Sequence, residues 1–473
     1  MRDRDQDSHV SKDIRSGPQP LLTGISNSLQ TGESYSFRIA TGAPLVPPAG
    51  MSSASYGGTA LLQSMTQTTT NLATGFTYDG SLQSGTSGEL TQVTLPYGGT
   101  RGWQYQLFGH AVQSLREVQT RTLNTAARGA SGTTYNYSIA HDPGDPARYA
   151  HASGILTDSA GNGQKVWYFQ ADGTQFNAGL QVGFDNKQLN TNQIITHEDY
   201  TWAQDGAGRP YLASTVTTQD GVAQKKSTQA MDNYGNVTQT QLYDWGNLAT
   251  AVRTYTNLYS ASYTNYTPLY IFNRLIQSQV QAAGGPLITL VNNFYDTNSP
   301  ADVPGINRHD PNYGTAFGLR GNLWGTRTLA GSSGQNLDIG GNPTSVTVNG
   351  VTTTPTINAN TNWAAPSAMT TNSLTSTMNW TSFLAPSSQT GPNGDTASIT
   401  YDPSARPQTS SSPFGAVTNY VYSDTASPPT KIATTNGRWV RTTSDGFGRT
   451  IKTSNSSGTP VDFAGQIARD RLT

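Results

Sequence analysis

Tyr401-Asp402-Pro403-Ser404-Ala405-Arg406 opens the most legible stretch of this 473-residue chain, and Asp445-Gly446-Phe447-Gly448-Arg449 closes it. Asp402, Asp424 and Asp445 lie 22 and 21 residues apart. An Asp at the first turn position accepts backbone N–H bonds two residues on, and Gly at the fourth takes the left-handed conformation. Asp-x-x-Gly therefore reads as a reversal between two strands. The run that follows each one, such as Arg449-Thr-Ile-Lys-Thr453, alternates as a half-buried strand does. In Tyr420-Val-Tyr422 both rings point to one face, because residues two apart in a strand share a side.

The same signals recur upstream. Asp-x-x-Gly-(Arg/Asn) appears at Asp158/Gly161, Asp205/Gly208 and Asp232/Gly235, with Asp445/Gly448 as the fourth copy. Asp402 heads the same pattern with Ala405 in place of Gly. Tyr-Asp occurs at Tyr78-Asp79, Tyr243-Asp244, Tyr295-Asp296 and Tyr401-Asp402. Pro96-Tyr97-Gly98 leads to Trp103 and Tyr105, and Pro413-Phe414-Gly415 leads to Tyr420 and Tyr422 at the same offsets. A repeat near 21 residues is one hairpin, which cannot bury its aromatic face alone; stacked hairpins can.

Composition agrees. Only 12% of residues are charged, about half the usual ~25%. Gly, Ser, Thr, Asn and Gln replace them. Disordered chains are poor in aromatics, whereas this one has 23 Tyr, 13 Phe and 8 Trp. With 49 Gly and 25 Pro as punctuation, the chain reads as many short strands joined by turns. A formal net charge of -1 and seven Lys give no electrostatic footprint for nucleic acid. No apolar run reaches the ~18 residues of a membrane-crossing helix. The start, Met1-Arg-Asp-Arg-Asp-Gln-Asp, is not a secretory signal. With no Cys, disulfides and thiolate sites are excluded.

The expected organisation is a polar, poorly ordered lead-in over 1–45 and degenerate repeats over 46–340. A Ser/Thr/Asn-rich linker or set of exposed strands follows over 341–395, then clear repeats over 396–460 and a tail over 461–473. A helix competes with a strand at 110–122, where Val112, Leu115 and Val118 recur at helical spacing.

The spaced set Tyr401-Asp402, Asp424 and Asp445-Gly-Phe-Gly-Arg449 resembles consecutive Rhs, or YD, repeats. The likeness is strong over 396–454, degenerate at 78–105 and 158–248, and weak elsewhere. It implies an all-β fold, a spiral YD-repeat sheet forming part of a hollow shell. In the bacterial polymorphic-toxin and insecticidal toxin-complex members, such a shell encloses a toxic C-terminal segment; in teneurin-like members it serves cell-surface recognition. The family's closing core segment, with its aspartyl self-cleavage residues, is not found before Thr473. Neither self-cleavage nor toxicity is therefore expected of this chain.

The resemblance implies a non-enzymatic, secreted or cell-surface wall whose partner is a polypeptide cargo or C-terminal toxin domain. A carbohydrate- or cell-surface-binding adhesin on the same repeats is the alternative. No cofactor, metal ligand or catalytic residue is assigned. His197-Glu198-Asp199 offers metal or base chemistry but lacks further ligands, and reads first as a polar strand edge. Asp142 and Asp145 read as turn residues before calcium ligands. Trp103, Tyr105, Trp167, Trp202, Trp245, Trp324 and Trp439 read as packing partners before sugar platforms.

Overall fold

The computed structural model describes residues 10–15, 20–29, 32–48, 50–51, 56–109, 114–142, 151–306, 309–458 and 461–462. They form one sheet of 33 strands. Every strand pairs antiparallel with the next in sequence, from Val10–Arg15 on Leu21–Asn27 to Thr450–Asn455 on Val461–Asp462. The path is an unbroken meander, and the sheet does not close edge to edge. This is the all-β spiral sheet expected of the repeats.

The chain exposes 27010 Å² of surface. A compact monomer of 50.4 kDa exposes about 17,000 Å². An excess of this kind fits an open sheet with few residues shielded on both faces. Among the described residues only nine apolar side chains are buried, Tyr135, Tyr137, Val166 and Ile339 among them. Cohesion comes instead from the ladders and from hydroxyl pairs across them. Thr353–Thr371, Thr400–Thr409, Thr418–Thr435 and Ser398–Ser411 meet at 2.6, 2.7, 2.6 and 2.6 Å.

These pairs explain residues 341–395, where apolar content is low. The sheet runs through them as Pro343–Val348, Val351–Ile357, Pro366–Thr371, Leu374–Trp380 and Pro386–Thr390. The segment is wall rather than linker. The lead-in also differs from expectation, since Leu21–Asn27 and Ser34–Leu45 are strands. At 110–122 the strand wins: Ser114–Asn124 pairs with Thr100–Gly109. Val118, Thr120 and Thr122 are β-branched, and a full partner ladder outweighs the helical spacing. Residues 110–113 of that expectation lie outside the described set. Among the described residues, helix is limited to four three-residue 3₁₀ turns, including Pro311–Tyr313.

In a strict meander, turns alternate between the two edges of the wall. Turns after odd-numbered strands, counted from Val10–Arg15, share one edge, here the clip edge. Turns after even-numbered strands share the opposite edge.

Candidate functional site

The clip edge is named for one five-residue turn. At Asp402 the amide donates to the Arg406 carbonyl at 2.8 Å, and the Ala405 N–H donates back to the Asp402 carbonyl at 2.9 Å. The carboxylate completes it. Oδ1 accepts from the Ser404 and Arg406 N–H groups, both at 2.9 Å, and Oδ2 accepts from Arg406 Nε at 2.9 Å. Asp445 repeats all five bonds with Phe447, Gly448 and Arg449. Asp205 repeats them with Ala207, Gly208 and Arg209. Asp232 repeats them with Tyr234, Gly235 and Asn236, whose Nδ2 replaces the guanidinium. The fourth residue is left-handed in each, with φ of +59° at Ala405 and +79°, +82° and +80° at Gly208, Gly235 and Gly448. The backbone is the three-residue hairpin loop with a left-handed bulge residue.

Asp158 and Gly161 do not belong to this set. Their turn follows an even-numbered strand and lies on the opposite edge. Asp158 pairs directly with Gly163, and its carboxylate accepts only the Gly161 N–H among the clip-type bonds, at 2.9 Å. The left-handed residue is Asn162, not Gly161. Tyr243-Asp244 also falls on the opposite edge and forms no clip; Asp244 accepts the N–H of Trp245.

Four further Asp turns on this edge close in the same manner. Asp338-Ile-Gly-Gly-Asn342 fits the Asp-x-x-Gly-Asn pattern outright, and Asp338 Oδ1 accepts the Asn342 N–H at 2.8 Å. Asp142 closes on Ser153 in the same way, as do Asp79 on Glu89 and Asp296 on Asn322, each with a long insertion between the two residues. Tyr78 and Tyr295 precede Asp79 and Asp296, so three of the four Tyr-Asp pairs mark clips.

Pro-aromatic-Gly is the same backbone turn without the carboxylate. Leu95 and Ser412 take the first position, their amides donating to Gly99 and Ala416 at 2.7 and 2.8 Å. Both turns sit on the opposite edge. Gly415 holds the left-handed position at +82°. Phe414, which the repeat pattern reads as a packing partner for a neighbouring strand, is instead 93% exposed; its place at the tip of the turn points it outward.

The strand aromatics act through their polar atoms. The hydroxyls of Tyr105, Tyr401 and Tyr422 donate to the carbonyls of Leu90, Pro386 and Pro407 at 2.8, 2.8 and 3.0 Å. Trp202 and Trp380 Nε1 donate to Gln181 and Pro366 at 2.7 and 2.8 Å. Each acceptor is the first residue of the preceding strand. These rungs tie one clip-edge turn to the next. Tyr420 and Tyr422 share a face, and Lys431 Nζ lies over both rings at 5.2 and 5.6 Å.

The edge then meets the chain's own beginning. Ser404 Oγ bonds Thr69 Oγ1 at 3.1 Å. The Tyr97 hydroxyl donates to Asp424 Oδ1 at 3.2 Å. The Gly99 N–H donates to the Gly446 carbonyl at 3.0 Å, and the Gly446 N–H to the Thr125 carbonyl at 2.8 Å. Thr69, Tyr97 and Thr125 follow the fourth, sixth and eighth strands; Ser404, Asp424 and Gly446 follow the twenty-seventh, twenty-ninth and thirty-first. Thr69–Ser404, Tyr97–Asp424 and Thr125–Gly446 are each separated by 23 strands, and Gly99–Gly446 by 25. The wall thus returns on itself after 23 strands, opposite edge on clip edge. Arg406 braces the contact, with NH1 on Asp424 Oδ2 at 2.6 Å and its guanidinium 4.0 Å from the Tyr422 ring centre.

Electrostatics mark the clips and one histidine. Backbone donation from Arg209 is the main influence holding the Asp205 carboxyl below its ordinary value. In the His197 cluster, burial pushes the Asp185 carboxyl up, but bonds from His197, Tyr168 and Lys187 outweigh it and hold it low. Burial, with the Asp185 bond, pushes the Tyr168 hydroxyl up to about 12. His197 Nδ1 lies 2.5 Å from Asp185 Oδ1 and Nε2 lies 3.0 Å from Asp199 Oδ1. Glu198 accepts the Tyr200 hydroxyl. The triplet His197-Glu198-Asp199 is therefore split between two networks on its strand. Asp142 accepts the Ser153 N–H at 2.9 Å, as a turn residue does, and Asp145 lies outside the described set. No described helix is long and apolar enough to cross a membrane.

Solved structures share this architecture. Over 85% of its length the chain superposes on a TcdB2–TccC3 structure with a TM-score of 0.54 and 11% identity. The fold is that of an Rhs/YD-repeat shell. A TcdB2–TccC3-TEV structure and one of TcdB2–TccC3 without its hypervariable C-terminal region match this Rhs-type wall over 95% and 91% of its length. Both do so at a TM-score of 0.55 and 10% identity. The wall spans 32%, 35% and 34% of those three chains, about a third of each. No family model and no curated protein matches its sequence.

Proposed function

We propose that this chain is a wall segment of a toxin-type Rhs shell, working outside the cell to enclose or carry a polypeptide rather than to catalyse. One observation carries the reading: the meander returns to dock on its own first coil after 23 strands. At about 4.8 Å per strand, 23 strands give a circumference on the order of 110 Å and a backbone diameter of about 35 Å. Subtracting a side-chain layer of about 5 Å on each side leaves room roughly 25 Å wide, enough for an unfolded chain. The likeness to toxin-complex structures supports the same role. Glycan binding on the repeats is the weaker reading, because Trp202, Tyr105, Tyr401 and Tyr422 spend their polar atoms on the wall.

The test fuses an unstructured reporter polypeptide to the C-terminus and combines cryo-EM with protease digestion. A curved wall around reporter density, with the reporter cleaved far more slowly than when free, supports the proposal. A compact particle, or a reporter digested at the free rate, overturns it.

A further inference from the structure

Three side chains far apart in sequence converge at the clip edge between Phe108 and Ser153. Glu117 lies near the start of Ser114–Asn124, and His141 ends the next strand, Thr134–His141. The ladder between them runs from Asn124↔Thr134 to Thr120↔Ser138, and continuing its register sets Glu117 opposite His141. His141 in turn pairs with Gly154, which brings in His151 from just ahead of that third strand.

The geometry is that of a ligand set. His151 Nε2 lies 2.9 Å from Glu117 Oε2, and His141 Nε2 lies 3.3 Å from the same oxygen. One ligand atom from each of the three falls within 4.8 Å of the others. In a tetrahedral site with bonds of about 2.0 Å, neighbouring donor atoms sit about 3.3 Å apart. Both Nε2 atoms face Glu117 Oε2, while the two imidazoles stack with centroids 4.4 Å apart and planes 18° apart, so a shared ion requires one ring to tilt until both lone pairs converge. Phe108 stands edge-on to both rings, at 4.9 and 5.5 Å.

A second observation is independent of the convergence. His151 Nδ1 lies 3.1 Å from the Asp142 carbonyl oxygen. A neutral imidazole carries one N–H, and here Nδ1 faces a carbonyl while Nε2 faces a carboxylate. With the proton on Nδ1, the Nε2 lone pair faces Glu117 Oε2 and both are placed to ligate a cation between them, whereas an imidazolium would donate to both partners. A ligating histidine typically donates its other N–H to a carbonyl or carboxylate in this way.

We propose that Glu117, His141 and His151 bind one divalent transition-metal ion of the zinc class, staple-like, across three adjacent strands of the wall. Two imidazoles and one carboxylate suit Zn²⁺ and its Irving–Williams neighbours rather than Ca²⁺ or Mg²⁺, which take all-oxygen shells. Three protein ligands leave a coordination position for water or an exogenous donor. His141 and His151 also border an apolar hollow of about 480 Å³ with Ile139, Trp167 and Phe169, where Arg121 offers a positive charge to an anionic donor. The site does not depend on the shell reading.

The experiment takes the full chain stripped with a chelator and titrates it with zinc chloride by calorimetry. The expected result is one equivalent bound, weakened at least about 100-fold by Glu117→Gln, His141→Gln and His151→Gln singly. His197→Gln, at the other histidine–carboxylate cluster, leaves it unchanged. Absence of stoichiometric binding, or its loss only in His197→Gln, overturns the proposal. A readout on the unmutated chain covers the case of a misfolded variant. Zinc should protect His141 and His151 from diethyl pyrocarbonate, mapped by mass spectrometry; equal modification with and without zinc also overturns it.

Discussion

The clip edge is built in two ways along its length. Where the first coil stacks on it, its turns are short: 402–406, 424–429 and 445–449. Where no earlier coil reaches it, the same edge carries insertions at 260–274 and 296–322, alongside the short clips of Asp205, Asp232 and Asp338. The Asp445 and Asp205 clips make the same bonds, and both carboxylates are shielded, at 6% and 4% side-chain exposure, yet Gly446 is buried while Gly206 lies open to solvent. One motif thus serves two purposes. At the free edge it ends a hairpin. At the docked edge it also holds a peptide group in the orientation another coil needs, as Gly446 does for Gly99 and Thr125.

The largest effect should come from Gly446→Val. A Cβ there would overlap the Ala126 carbonyl oxygen and crowd the Gly99 backbone, neither of which is the end of a flexible side chain. We expect a loss of about 3 kcal/mol, read as faster hydrogen exchange at the 97–99, 125–129 and 445–449 turns together. Unchanged protection at 97–99 would mean that the coils do not dock there.

Asp445→Ala comes next. It strips the Phe447 and Arg449 amides and the Arg449 guanidinium of a shielded acceptor in a half-buried turn, costing about 1–2 kcal/mol. Asp205→Ala removes the equivalent bonds at the free edge and should cost less, with exchange rising only near 205–209. Equal thermal shifts for the two variants would break the distinction between docked and free clips.

Gly350→Ala tests the opposite edge away from any stacked coil. Gly350 has φ +86° and nothing within 4 Å of an added Cβ, so only backbone strain is at stake. The expected cost is about 1–2 kcal/mol, with exchange raised in its own hairpin and unchanged at 97–99.

The smallest effect concerns pH. The clip lowers the Asp205 carboxyl below 3.8. Its contribution is complete above that ordinary value and fades as pH falls through the lower folded one. Carboxyl carbon NMR on Asp-labelled protein should show a titration midpoint for Asp205 below 3.8; a midpoint at or above it would remove the carboxylate from the clip.

Much of the wall could be read from residues alone. The strands, the left-handed fourth position and the 21- to 22-residue spacing were all legible, because a hairpin turn is specified within five residues. Asp338 was legible too, since it fits the pattern letter for letter. Asp158 misled because the pattern does not encode which edge a turn occupies; that depends on counting every strand before it. Asp79 and Asp296 were half-hidden, their partners displaced to Glu89 and Asn322 by insertions. Nothing in the sequence joins Glu117 to His141 and His151, at separations of 24 and 34 residues. Only the register of two hairpins does so.

By itself, then, the sequence determined that this chain is a repeating antiparallel meander whose recurring Asp turns fall every second strand, because a repeat of two strands and two turns always returns to the same edge. Tertiary structure alone decided where the wall meets itself. That position is the accumulated sum of small twists and bends over 23 strands, a quantity no five-residue motif contains. It also decided which of several identical clips became an interface and which side chains gathered at the edge beside them.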